Sequence, residues 1–360
     1  FPLGGKHKRT VPSAMVHQLP VPGGTNTASY MSFGYNPFIS AQSPYHGGYL
    51  AVVEAVSKLI AAGAPYEMIY LTHQEYFPRL ANDPTRWGLP LAALLGAYRA
   101  QMGLSCAAIG GKDSMSGSFE DLDVPPTLIS FAVTAADKRR AISPEFKGTG
   151  HAVRLIKPEL GADGLPTEDS LNAVYRLVAE LLAQKKAISC ATPAWGGIAY
   201  ALTQMAIGNH IGMKIDARIT KDELFADNYG AFILEMAQDA EVGTLLGYTQ
   251  ETPAITWQDE QVLLDELLLA YDSKLEGVYP VGAADKGKPA PIAQPQKRTA
   301  KGVHIAKPRV IIPAFPGTNS EVDSARAFLK AGADAQVFLI RNLTGDAVAQ
   351  SIRELADAIT

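Results

Sequence analysis

Between residues 281 and 307 the chain changes character: Lys, Pro, Gly and Ala dominate and large apolar residues thin out. A stretch of that composition buries too little apolar surface to offset the entropy of ordering, so it reads as a linker. It divides the 360 residues into a long leading block and a tail, residues 308–360, that is too short to complete an α/β core of its own.

The leading block divides again near residue 147. Its first part opens with strand-like pieces such as 28–33. Two helical patterns follow, over 48–62, where Leu50, Val53, Val56 and Ile60 recur at helical spacing with Glu54 and Lys58 four apart, and over 90–102, where Pro90 suits a first turn. After a turn at Gly110, residues 128–133 read as a buried strand. The second part, 148–280, opens with a strand near 151–156. It continues with an amphipathic helix at 171–184, a helix opened by Gly196-Gly197, a strand at 232–236 and a last helix at 260–271 whose Asp259, Glu260, Asp265 and Glu266 form a solvated face. In the tail, strand 309–315, a helix capped by Ser320 with Asp323 in a capping box, and strand 336–340 make a βαβ opening.

Composition bounds the function. A chain 47% hydrophobic and 19% charged is ordinary for a globular protein. A net charge of −4 gives no electrostatic footprint for nucleic acid, and no apolar run reaches the length of a membrane span. Cys106 and Cys190 are far apart, each in an apolar stretch, which fits buried inert thiols in a reducing, cytoplasmic setting rather than a zinc site. Phe1-Pro2-Leu3 lacks an initiator Met, and both termini read as cut ends.

The strongest local signal is Gly110-Gly111-Lys112-Asp113-Ser114-Met115-Ser116. Two glycines permit close backbone approach, Lys112 can neutralise phosphate, Asp113 can hold a hard cation, and Ser114 and Ser116 can bond phosphate oxygens. The spacing is not that of a Walker A loop; the plain alternative is a Gly-rich turn with a solvated Lys–Asp pair. His46 faces phosphate or makes a loop hydrogen bond. His73 suits domain packing, and Trp195 is a buried aromatic or lines a pocket.

This motif with the following 119–128, together with Tyr35-Asn36-Pro37-Phe38-Ile39-Ser40 and Ser43-Pro44-Tyr45-His46-Gly47, resembles the second synthetase half of the phosphoribosylformylglycinamidine synthase family, single-chain type. The 148–280 part resembles the carboxy-terminal domain of the aminoimidazole ribonucleotide synthetase superfamily. Phe315-Pro316-Gly317-Thr318-Asn319 with 323–328 resembles the start of a class I glutaminase. The resemblance implies an α+β / α/β architecture: aminoimidazole ribonucleotide synthetase-like amino- and carboxy-terminal domains at 1–147 and 148–280, a linker at 281–307, and a truncated glutamine amidotransferase start at 308–360.

It also implies part of a magnesium- and ATP-dependent ligase of purine biosynthesis. That enzyme converts formylglycinamide ribonucleotide, glutamine and ATP to formylglycinamidine ribonucleotide. The alternatives are a nucleotide-free structural pairing half, or another ATP-using member of the superfamily. The nucleotide-binding residues implied are Gly110, Gly111, Lys112, Asp113, Ser114 and Ser116, and the metal ligands Glu54 and Asp113. The bound group is ATP or ADP with Mg. Two departures oppose it: Lys58 stands where nucleotide-holding members have an Asn ligand, and Met15 where they have an Asp. No catalytic residue lies in the chain, since neither Cys sits in a glutaminase nucleophile elbow, and the chain by itself is expected to be inactive. Its partners are small-molecule substrates and the missing first synthetase half and rest of the glutaminase. With that half absent, the resemblance predicts a homodimer through strands at 28–33 and 128–133, read as sheet edges.

Overall fold

In the computed structural model the described residues are 3–280, 287 and 306–359, and the contacts fall into two compact units, residues 1–283 and 284–360. The expected linker at 281–307 lies almost wholly outside the described residues.

The first unit begins with β1 (Met15–Gln18), β2 (Thr27–Gly34), α1 (Pro37–Gln42), α2 (Pro44–Ala61), β3 (Tyr70–Tyr76), α3 (Pro84–Leu104), β4 (Ala107–Ser114), a small hairpin of β5 (Ser118–Phe119) and β6 (Leu122–Asp123), and β7 (Thr127–Asp137). Five of these strands form one sheet in the order β1-β2-β7-β3-β4, antiparallel except between β3 and β4. Period-2 alternation fixes its two faces. Ala28, Tyr30, Ser32, Leu71, Ala132 and their neighbours are buried beneath α2. On the other face Met31 and Phe33 are 43% and 55% exposed, beside half-buried Phe131 and Val133. The strands expected as edges, β2 and β7, are interior; the edges are β1 and β4. What those strands leave open is a face.

Local chemistry moved two helix starts. Ser43 caps α2, its hydroxyl accepting from His46 N, with Pro44 in the first turn. Asp83 caps α3 by accepting from Thr85 N, so Pro84 holds the first-turn place and Pro90 sits inside the helix.

The unit continues through β8 (Ala152–Ile156), α4 (Glu168–Ala183), β9 (Ala187–Ala191), α5 (Gly197–Ile207), β10 (Gly212–Ile215), α6 (Lys221–Phe225), β11 (Phe232–Met236), β12 (Thr244–Gln250), β13 (Ala254–Trp257), β14 (Glu260–Leu263) and α7 (Leu264–Ser273). The seven strands order as β14-β13-β10-β12-β8-β11-β9. The helix expected from residue 260 starts at Leu264; Glu260–Leu263 instead pairs with β13. The two sheets share a core. Tyr175 and Phe232, fully buried, cluster with Val53, Val56 and Leu59 of α2, and Tyr175 OH donates to Val53 O at 3.1 Å.

The second unit holds β15 (Arg309–Ala314), α8 (Glu321–Lys330), β16 (Asp334–Leu339) and α9 (Gly345–Ile359), with β15 and β16 parallel. Ser320 adopts a left-handed conformation and makes no side-chain cap bond, so the expected capping box is absent.

Candidate functional site

The long apolar face of α2 seats it on the first sheet, and Gly34 sets how closely. A Cβ there would stand 2.2 Å from Ala51 O and 2.8 Å from Glu54 Cβ. The close approach brings Glu54 against the end of β2, where Tyr35 N donates to Glu54 Oε2 at 3.1 Å. One turn on, Lys58 Nζ lies 2.6 Å from Glu54 Oε1. Glu54 before Lys58 is the favourable helical order. Strand β1 begins opposite Met31, so beyond it one side of β2 has no partner strand among the described residues. Lys58 occupies that gap, donating to Phe33 O at 3.1 Å and lying 4.7 Å from the Phe33 ring centroid.

The Gly110–Ser114 segment is not a loop or a turn. It is the second half of β4, parallel to β3, with a bulge where Leu71–Thr72 oppose Ala108–Gly110. An extended backbone sends successive side chains to opposite faces. Register with β3 therefore puts Gly111 and Asp113 on the helix side, beside His73 and Glu75, and Lys112 and Ser114 on the bare side, beside Gln74 and Tyr76. The six residues expected to surround one nucleotide are divided between two faces. Ser116 follows the strand and is exposed.

Asp113 meets Glu75, not Glu54. Burial and the Asp113 charge together hold the Glu75 carboxyl above its ordinary range. Glu54 lies by the end of β2 and Asp113 on β4, three strand spacings or about 14 Å across the sheet. The magnesium ion implied for Glu54 and Asp113 does not fit. The two carboxylates are apart, the first is already paired with an ammonium, and no cluster of three or more His, Cys, Asp or Glu suited to a metal occurs among the described residues. Met15 pairs with Met31 and shares its bare face, away from Glu54.

His46, in the first turn of α2, makes structural hydrogen bonds: Nε2 donates to Asp163 O at 3.3 Å and Nδ1 pairs with Ser43 Oγ at 2.7 Å. His73 is buried, in keeping with a packing role, yet neither ring nitrogen nor the Ser130 hydroxyl opposite it on β7 has a hydrogen-bond partner among the described residues. Trp195 is 55% exposed, not buried, and stands edge-on to exposed Phe38 at 5.4 Å; Gly196 and Gly197, both at positive φ, turn the chain into α5 just after it. Both thiols are buried, which pushes Cys106 up to about 11 and Cys190 further. Glu75 went unnoticed in the sequence; the alternation Leu71, His73, Glu75 was the signal that carried it. Glu235 was missed as well. Fully buried in β11, it accepts from Lys147 N at 2.7 Å, Gly148 N at 3.0 Å and His151 Nδ1 at 2.7 Å, tying the connector between the sheets to the second one.

No family model matches the sequence. Phosphoribosylformylglycinamidine synthase subunit PurL of Picrophilus torridus is 23% identical over 270 residues, covering 67% of this chain and 36% of the relative. PurL of Thermococcus sibiricus is 22% identical over 227 residues, 56% and 31% respectively. The chain thus spans about a third of the length of these curated relatives. Among solved structures, Thermotoga maritima PurL complexed with ADP superposes with a TM-score of 0.59 at 13% identity, over 81% of this chain and 50% of that one. Its complex with FGAR gives 0.57 at 12%, over 74% and 49%. The HypE–HypF complex gives 0.50 at 16%, over 72% and 94%. No described helix is long and apolar enough to cross a membrane. The chain is thus similar in sequence to phosphoribosylformylglycinamidine synthase subunit PurL and shares its fold with PurL and with the HypE–HypF complex.

Proposed function

We propose that this chain supplies the second synthetase-like half of an ATP-dependent carbon–nitrogen ligase that converts formylglycinamide ribonucleotide and glutamine to formylglycinamidine ribonucleotide. Residues 1–147 and 148–280 are its two synthetase-like domains, and 308–360 the start of a glutaminase. The observation that carries the reading is the PurL relationship, which runs through most of the chain in sequence and in fold. Within that enzyme the half acts by pairing. The bare face of the first sheet, with Met31, Phe33, Phe131 and Val133, takes the corresponding face of the sister half, or of a second copy when the chain is alone. Lys112 and Ser114 lie on that face, so any phosphate they bind is shared across the pair. Glu54 serves structure through Lys58 and holds no metal.

The test is to express the chain with and without the remaining synthetase part. Expected are no product from ATP, formylglycinamide ribonucleotide and ammonia with the chain alone, product with the two together, and no magnesium-dependent ATP binding by the chain in calorimetry. Failure of the combined parts to form product overturns the ligase assignment. Magnesium-dependent binding abolished by Glu54→Gln overturns the metal-free reading.

A second reading, a stand-alone ATP-using relative, is favoured by the likeness to AaThiL complexed with AMPPCP and TMP, which covers 88% of that chain at a TM-score of 0.50. Activity of the chain alone would support it.

A further inference from the structure

The amino-terminal segment ends in a tight hairpin fastened to the turn between α5 and β10. Gly4 N donates to Thr10 O at 2.7 Å and Arg9 N to Gly4 O at 3.1 Å, closing the hairpin. Three further bonds anchor it: Lys6 N to Asn209 Oδ1 at 2.7 Å, His7 N to Gly208 O at 2.9 Å, and Thr10 Oγ1 to Gln204 O at 2.6 Å. Gly5, at φ +85°, packs so closely that a Cβ would stand 2.2 Å from Gly208 O. Fixed this way, the His7 ring lies 5.4 Å from the His210 ring, centroid to centroid, tilted by 56°. His210 Nε2 is 3.0 Å from Asp265 Oδ1.

We propose that His7 and His210 form a binding site for a transition-metal dication of the Zn²⁺ or Ni²⁺ class. The Asp265 carboxylate can only accept, so the proton of the His210 imidazole sits on Nε2, leaving the Nδ1 lone pair for a ligand. A carboxylate behind a histidine is the usual second partner of a metal-bound imidazole. At metal–nitrogen bonds of 2.0–2.1 Å, two imidazoles on one tetrahedral ion have centroids about 5 Å apart. The observed spacing needs little adjustment, and two backbone-anchored turns hold it. Imidazole nitrogen selects zinc, nickel or copper over magnesium or calcium. No three-residue metal cluster is present among the described residues, so water fills the other positions. The bound ion staples the hairpin to the second sheet.

The test is calorimetric titration of the untagged full chain with Zn²⁺, and separately Ni²⁺, in a non-chelating buffer. The expected result is one ion per chain, weakened more than tenfold by His7→Ala and by His210→Asn; Asn tolerates the left-handed backbone at 210 (φ 58°). Asp265→Asn should weaken binding about tenfold, and His17→Ala should leave it unchanged. Zn²⁺ should also raise the melting temperature of the wild type and not of His7→Ala. Binding that survives both histidine substitutions in folded protein, binding lost with His17→Ala instead, or no binding at about a hundred micromolar Zn²⁺ or Ni²⁺ overturns the proposal.

Discussion

Lys58 Nζ lies 2.6 Å from Glu54 Oε1 across one turn of α2, and the same ammonium donates to Phe33 O at the unpaired side of β2. One side chain thus neutralises a buried carboxylate and covers a strand carbonyl. Replacing Lys58 by Met should cost about 2–3 kcal/mol, because Glu54 would keep its burial and lose its counter-charge. The double variant Lys58→Met with Glu54→Gln should regain part of that loss. Urea unfolding of the two single variants and the double measures the coupling; additive losses would refute it.

Gly34→Ala should separate α2 from the first sheet. The added methyl would lie 2.2 Å from a helix carbonyl, and backbone cannot yield as a side-chain tip does. A loss of about 1–3 kcal/mol is expected. Gly150→Ala, with open space around the new methyl, is subject only to the strain of its positive φ and should cost less.

His73 predicts a pH dependence. Burial holds its imidazole below the ordinary 6.5. As pH falls below 6.5 the unfolded chain takes up a proton and the folded chain does not, so this residue's contribution to stability is complete above 6.5 and is lost on descent through the folded value. His73→Leu removes both unpaired nitrogens. The variant should be more stable than the wild type by about 1–3 kcal/mol at pH 7, with the gap widening toward pH 5. Denaturant midpoints at the two pH values decide it; a constant gap would show that His73 binds its proton equally in both states.

Phe33→Asp on the bare sheet face should convert a micromolar dimer into a monomer with little change in stability, since Phe33 is 55% exposed in the single chain. Sedimentation velocity reads the outcome. A wild-type chain that is monomeric at the same concentration would remove the pairing surface from the proposed function.

Much of the fold was legible because its signals are local. The 3.6-residue spacing of Leu50, Val53, Val56 and Ile60 gave α2, and the i, i+4 pair Glu54–Lys58 formed as read. Gly110 and Gly111 misled because glycine marks turns and also occurs in strands, at Gly111 one that a neighbour crowds. A Cβ at Gly111 would stand 2.7 Å from His73 O on the next strand, a contact between residues far apart in sequence. The same limit hid the separation of Glu54 from Asp113: both are acidic and exist at motif positions, and only strand order places three spacings between them. Trp195 was read as a buried aromatic or a pocket residue, and of these the burial fails: it is 55% exposed beside two glycines at positive φ.

The core shared by the two sheets has a consequence for how the protein is made. Val53, Val56 and Leu59 of α2 are covered in part by Tyr175 and Phe232, which leave the ribosome long after them. At about 5–20 residues per second, the interval from α2 to β11 is roughly 9–34 s. Until Phe232 emerges, the nascent first sheet and its helix carry an apolar seam that Tyr175 closes only in part. Synthesis of the second sheet is therefore the event that completes folding of the first, and a pause in translation before residue 232 should prolong the protein's dependence on holdase chaperones.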